Sequence, residues 1–283
     1  MTSVSSIMSE DPVSATEETP LGKIVSLMVR NRVGSIVIVD RDNVPTGMIT
    51  ERELLKEISS NARLDLEARA KDLMLLSFIK IPPDTQVPEA AKAMIKRRVR
   101  VLVTKKNGKL DGIVSTTDFL RYFSKTAKDV PIEGAIHRKV TTIEGSRGAL
   151  DAIRMMYEKR IGSVVITRSG LPFGIVTERD LLRILARGRR KEFGSLKLEE
   201  IARRPLITAQ FGISAREAAS IMLTNRIKRL PILRGDEMFG MITAKDLVGA
   251  YSAASSVRQR EVVPRYVTQR ISRRRAVAAV PRR

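Results

Sequence analysis

An α+β fold made from four copies of one β-α-β-β-α unit is the architecture this sequence predicts, and three observations carry it. First, a Gly-h-h-Thr/Ser-x-x-acid signature (h apolar) recurs as Gly47-Met-Ile-Thr50-Glu-Arg-Glu53, Gly112-Ile-Val-Ser115-Thr-Thr-Asp118, Gly174-Ile-Val-Thr177-Glu-Arg-Asp180 and Gly240-Met-Ile-Thr243-Ala-Lys-Asp246. Second, each signature follows a methionine with a base four places on: Met28/Arg32, Met94/Arg98, Met156/Arg160 and Met222/Arg226, with a period of 62 to 66 residues. Third, every copy runs from helical to strand periodicity in the same order.

The elements of one copy follow in turn. A short extended piece comes first (Ile79–Ile81, Lys139–Ile143, Leu206–Ala209). An amphipathic helix follows, with Val87, Ala90, Ala91, Met94 and Ile95 at helical spacing in the second copy. Next is a β-rich run (Ser35–Val39, Val99–Val103, Ser163–Thr167, Leu230–Leu233), then a turn, for which Asn107-Gly108 is the strongest hairpin signal. The second strand ends in the signature, whose Thr or Ser opens a closing helix such as Thr177–Leu185. The methionines, set among Leu, Ile and Ala, are expected in the core, and the bases after them are expected to solvate the helix end and complement its dipole.

The copies alternate in kind. The first and third share Arg-h-Gly-Ser-h-Val (Arg32–Val37, Arg160–Val165) and Thr-Glu-Arg-acid-Leu-Leu, whereas the second and fourth replace that glycine's neighbourhood with a base, Arg100 or Lys228. A duplicated pair explains this, so repeats at 6–58, 70–124, 131–187 and 198–251 form two units, 6–124 and 131–251, joined at Lys125–Val130.

Composition removes several function classes. The 283 residues are 43% hydrophobic and 29% charged, enough for two domains with real cores. Zero cysteines exclude disulfides, thiolate metal sites and cysteine nucleophiles, and the single histidine, His137, leaves little for histidine catalysis or a His-rich metal site. His137 is expected to be an ordinary surface or interface residue. No apolar run approaches a membrane span and Met1-Thr-Ser-Val-Ser-Ser lacks the marks of a secretory signal, so a cytoplasmic protein is expected. No Gly-x4-Gly-Lys-Ser/Thr or Gly-x-Gly-x-x-Gly motif occurs. Net charge is +21, and residues 252–283 alone carry nine arginines against Glu261, with a second basic knot at 187–191. Such a chain is drawn to polyanions.

Two readings of the signature stay open on spacing alone. Thr/Ser-x-x-acid at a strand-to-helix junction is a capping box, which Thr50 and Glu53 satisfy fully, while an aspartate's shorter side chain is expected to close the box poorly. The same geometry also suits a nucleotide: a helix N-terminus offers N–H groups to phosphate, the hydroxyl adds a hydrogen bond, and an acid one turn on accepts ribose hydroxyls.

Those repeats resemble the CBS domain (cystathionine-β-synthase motif) over about 6–251. Besides the four signatures, Ser6-Ile-Met8…Asp11-Pro-Val13 and Ala70-Lys-Asp-Leu-Met74 are similar to that family's lead-in. The resemblance implies that two copies pack through their sheets into a Bateman module, with two clefts that take AMP, ADP, ATP or S-adenosylmethionine. It also implies ligand contacts by Thr177 and Asp180, Thr243 and Asp246, Ser115 and Asp118, and Thr50 and Glu53, with Arg100 and Lys228 facing phosphate. Glu53 stands where the family has aspartate, so the first repeat's pocket is the one expected to be empty or altered.

With no attached catalytic domain, these readings make a non-enzymatic regulatory, energy-sensing protein. It needs no cofactor or metal, takes an adenosine nucleotide as regulatory ligand, and signals to a regulated protein whose identity the sequence does not give. Its modules face each other within one chain or across a homodimer. The alternative is a nucleic-acid-associated protein in which the repeats are scaffold and RNA or DNA is held by the tail, through Arg258, Arg260, Arg270, Arg273, Arg274 and Arg275. A basic, disordered tail over 252–283 with only a solubilising role is the competing expectation for that segment.

Overall fold

The computed structural model describes residues 2–61, 63–97, 101–105, 107–187 and 195–256. Arg98, Arg100, the knot beyond Arg187 and the arginines from Arg258 onward lie outside the described residues.

Four copies of the expected unit are present, each preceded by a lead-in with one helical turn. The first has β1 (Ser9–Glu10) in its lead-in, then β2 (Ser14–Ala15), α1 (Leu21–Arg30), β3 (Ser35–Val39), β4 (Pro45–Thr50) and α2 (Glu51–Asn61). The second has α3 (Ala70–Leu73), β5 (Ile79–Ile81), α4 (Val87–Arg97), β6 (Val101–Thr104), β7 (Leu110–Val114) and α5 (Thr116–Thr126). The third has β8 (Thr142–Glu144), α6 (Ala149–Glu158), β9 (Ser163–Arg168), β10 (Leu171–Thr177) and α7 (Glu178–Ala186). The fourth has α8 (Leu198–Ile201), β11 (Ala209–Gln210), α9 (Ala215–Thr224), β12 (Arg229–Arg234), β13 (Glu237–Thr243) and α10 (Ala244–Ser256). In every copy the first strand pairs parallel with the central strand, which pairs antiparallel with the signature strand.

The first strands of repeats three and four begin later than the sequence suggests, at Thr142 and Ala209. The cause is where the lead-ins go. His137 bridges Met241 of the fourth repeat, and Arg203 bridges Ile175 of the third. Chain that has just left one repeat's sheet must cross before it can join another ladder. Repeats one and two exchange lead-ins the same way, Leu75 bridging Met48 and β1 pairing with β7. Each pair is therefore interlocked.

The repeated Met-x3-Arg spacing is a helix C-cap. Met28 ends the α1 ladder with its carbonyl accepting from the Val33 N–H at 3.0 Å, while the Arg32 N–H donates to Val29. Arg32 itself is left-handed, at φ 55°. Met156/Arg160 and Met222/Arg226 repeat this, with both arginines at φ 54°. That double bond is the Schellman motif, which sets the methionine against the apolar residue after the arginine. All four methionines are buried, Met94 the most accessible at 4%.

The cores run across the pairs. Helices α1 and α2 pack on α6 and α7, fusing repeats one and three, and α4 and α5 pack on α9 and α10, fusing repeats two and four. Phe123 stacks on Tyr251 at 5.8 Å in the second of these cores. A smaller sheet-to-sheet core of Val37, Val39, Met48, Leu102 and Leu110 joins repeats one and two. The connection between pairs is itself tied down: Asp129 accepts from the backbone N–H groups of Val130 and Arg216, each at 3.0 Å. Burial pushes the Asp129 carboxyl up, but hydrogen bonds from Ser214, Arg216 and Val130, with the Arg216 charge, outweigh it and hold it below its usual value. No described helix is long and apolar enough to cross a membrane.

Candidate functional site

Each signature turns from strand to helix at its hydroxyl residue. Ser115, Thr177 and Thr243 have their backbone N–H donating to the acid three places on at 2.9, 3.1 and 2.9 Å, and their hydroxyls donate to the same carboxylate oxygen at 2.6 Å. Thr50 does the same to Glu53, its N–H at 3.1 Å and its hydroxyl in a short contact. The expectation that aspartate closes the box poorly is thus corrected. The extended cap residue folds its N–H and hydroxyl back over the first turn, within reach of the shorter side chain.

The signature glycine has a separate reason. A Cβ at Gly174 would lie 2.7 Å from the Arg203 carbonyl oxygen, and one at Gly112 3.1 Å from that of Ser9. Only a bare backbone lets the partner's lead-in lie against the strand. As a result one lead-in residue sits over each signature: Ser9, Leu75, His137 and Arg203 occupy equivalent bridging positions.

Those residues differ, and so do their effects. Arg203 Nε donates to Asp180 Oδ1 at 2.7 Å, and Arg183 Nη1 reaches the same oxygen at 3.4 Å. Burial lowers the pKa of Arg183, helped by the Arg203 charge and opposed by Asp180. His137 Nε2 lies 3.2 Å from Asp246 Oδ2. His137 is thus exposed and at an interface, as expected, bridging β13 through its backbone and meeting a signature acid through its ring. Over Glu53 the equivalent residue is the apolar Leu75.

Two clefts open at these signatures. The larger, about 860 Å³, lies between repeats three and four; Thr177 lines it with Arg203, Arg204, Arg226, Lys228 and Arg229. Asp180 stands behind Thr177, 7% exposed. A second, about 360 Å³, lies at the first repeat's signature and includes Thr50, Glu53, Leu75 and Met94. The Ser115/Asp118 and Thr243/Asp246 pairs keep the same cap geometry but lie outside these two linings.

Between the clefts runs a shared wall of Gly34, Glu51, Thr116, Glu178 and Arg229. Here the Glu-Arg dipeptides of repeats one and three pair reciprocally: Arg179 Nε to Glu51 at 2.9 Å and Arg52 Nε to Glu178 at 3.1 Å. Arg229 adds a 3.9 Å contact to Glu178. Burial pulls the pKa of Arg229 down, while Glu178 and Glu51 oppose the fall. A Cβ at Gly162 would overlap the Arg229 guanidinium and sit 2.7 Å from Glu178 Oε2, which explains the glycine of the Arg-h-Gly-Ser motif. None of these wall residues was marked as functional in the sequence. The available signal was that only repeats one and three carry Thr-Glu-Arg.

The family profile described as the CBS domain matches four stretches, residues 4–60, 70–125, 127–187 and 198–253. An uncharacterized protein of the ribosomal RNA operon of Thermofilum pendens is 29% identical over 62% of the chain and 62% of its own length. The uncharacterized protein MJ1404 of Methanocaldococcus jannaschii is 28% identical over 87% of the chain and 61% of its own length. The chain thus spans about three fifths of the length of these relatives. Among solved structures, protein MJ1225 of Methanocaldococcus jannaschii superposes with a TM-score of 0.79 at 21% identity, covering 88% of this chain and 99% of that one. A conserved protein of Pyrococcus horikoshii superposes at 0.63 with 25% identity, over 88% and 99% of the two chains.

Proposed function

This chain belongs to the CBS-domain family, and from that premise we propose that it is a non-enzymatic sensor that binds an adenosine nucleotide in the cleft between repeats three and four and passes its occupancy to a regulated protein. The observation that carries the proposal is the lining of the 860 Å³ cleft. There the N-terminus of α7, opened by Thr177, meets Lys228, Arg226 and Arg229 from the partner repeat. A helix N-terminus facing several cations suits phosphate. Thr177 and Lys228 hold phosphate in this reading, Asp180 takes the ribose hydroxyls, and apolar Ile175 and Ile207 flank the base. Thr243 with Asp246, Ser115 with Asp118, and Thr50 with Glu53 stand as the equivalent places in the other clefts.

Because ligand would bridge two repeats whose cores are shared with the other pair, binding would stiffen the whole assembly and shift its population between packings. The test is a thermal-shift series with AMP, ADP, ATP, S-adenosylmethionine and a short RNA at low and moderate salt. A ligand at about 100 times its Kd adds roughly 2.7 kcal/mol. A rise with an adenosine ligand that survives salt supports the sensor. No nucleotide shift, with RNA binding that collapses in salt, refutes it and favours the basic surface.

A further inference from the structure

Resting on the reading of this cleft as a nucleotide site, we propose that Arg203 is its specificity-determining residue, selecting nucleoside di- and triphosphates over the monophosphate.

Asp180 has no acceptor position to spare. Oδ2 accepts the N–H and hydroxyl of Thr177 at 3.1 and 2.6 Å, and Oδ1 accepts Arg203 Nε at 2.7 Å and Arg183 Nη1 at 3.4 Å. With the carboxylate 7% exposed, a ribose diol reaches Oδ1 only by taking the place of Arg203. The exchange frees a guanidinium that is 41% exposed at the cleft wall and open to a second anion.

The acids nearby do not provide one. Glu51 is engaged by Arg179, and Glu178 by Arg52 and Arg229. A single phosphate on the ligand is drawn to the α7 N-terminus and Lys228. A second or third phosphate gives Arg203 the anion it lost, in the bidentate geometry a guanidinium favours. The first repeat supplies an internal contrast: the equivalent position over Glu53 is Leu75, so no cation has to be displaced there.

Calorimetric titration of the full chain with AMP, ADP and ATP in EDTA tests this, comparing wild type with Arg203→Leu and Arg203→Lys. The binding step to compare is the one lost in Asp180→Ala, which separates this cleft from the others. Wild type is expected to bind ATP or ADP about tenfold or more tighter than AMP, the effect of one charge-assisted hydrogen bond. In Arg203→Leu, AMP tightens and the ratio falls to within about threefold, while Arg203→Lys keeps part of the preference. An unchanged ATP-to-AMP ratio in Arg203→Leu overturns the role of Arg203 and leaves the nucleotide site standing. Binding of no adenosine nucleotide to wild type overturns both.

Discussion

Removing the Glu51–Arg179 pair tests how the two halves of the molecule are held together. The side chains come from repeats one and three, 128 positions apart, and their charged atoms meet at 2.9 Å with exposures of 16% and 29%. Charge centres about 4 Å apart attract by about 4 kcal/mol at an effective dielectric of 20. Desolvation and side-chain ordering offset much of this, leaving a coupling of about 1–2 kcal/mol. In urea unfolding followed by circular dichroism, Glu51→Ala and Arg179→Ala should each destabilise, and the double variant should fall short of their sum by that coupling. The reciprocal pair, Arg52–Glu178, has Arg52 48% exposed, so its cycle should give the smaller value, below about 1 kcal/mol. At roughly 2–4 °C per kcal/mol for a chain of this size, the melting temperature gives a second readout. Additivity within about 0.5 kcal/mol for Glu51 and Arg179 would refute the contribution of this ion pair to holding repeats one and three together.

Three further outcomes follow from single positions. Gly162→Ala should destabilise by about 1–3 kcal/mol, because the new methyl displaces Arg229 from Glu178, whereas Gly34→Ala should lose less, its nearest neighbours standing at 3.2–3.3 Å; equal denaturation midpoints for the two would contradict this. Asp129 is held below its ordinary pKa of 3.8, so its stabilisation is present above that value and lost as pH falls through the lowered one. The gap in urea midpoint between wild type and Asp129→Asn should therefore be wider at about pH 6 than at about pH 3, and a gap that widens on acidification would be the wrong sign. Arg226→Gly should relieve the left-handed backbone at φ 54° and stabilise by about 0.5–1 kcal/mol while weakening nucleotide binding, so thermal melts and titrations should move in opposite directions.

Local physics was legible in the sequence, and long-range pairing was not. Val87, Ala90, Ala91 and Met94 announced their buried face through helical spacing, and Ile79–Ile81 its strand through composition. The Thr/Ser-x-x-acid caps were legible as well, because donor and acceptor lie three residues apart. By contrast, nothing periodic records that Arg203 will lie over Asp180 or His137 over Asp246, since those contacts depend on lead-ins exchanged between repeats. The Met-x3-Arg spacing was visible but invited a reading by charge. The structure explains it by backbone geometry, with the arginine occupying the left-handed position that glycine more often fills. The Glu-Arg dipeptides of repeats one and three became meaningful only once a near-twofold relation brought opposite charges face to face.

Titration calorimetry of wild type and Asp180→Ala with ATP tests the nucleotide site most directly. Loss of the carboxylate that would hold the ribose should weaken binding by about 1.5–3 kcal/mol, roughly 10- to 150-fold. An unchanged ATP affinity in a folded Asp180→Ala protein would contradict the assignment and leave the signature a helix cap alone.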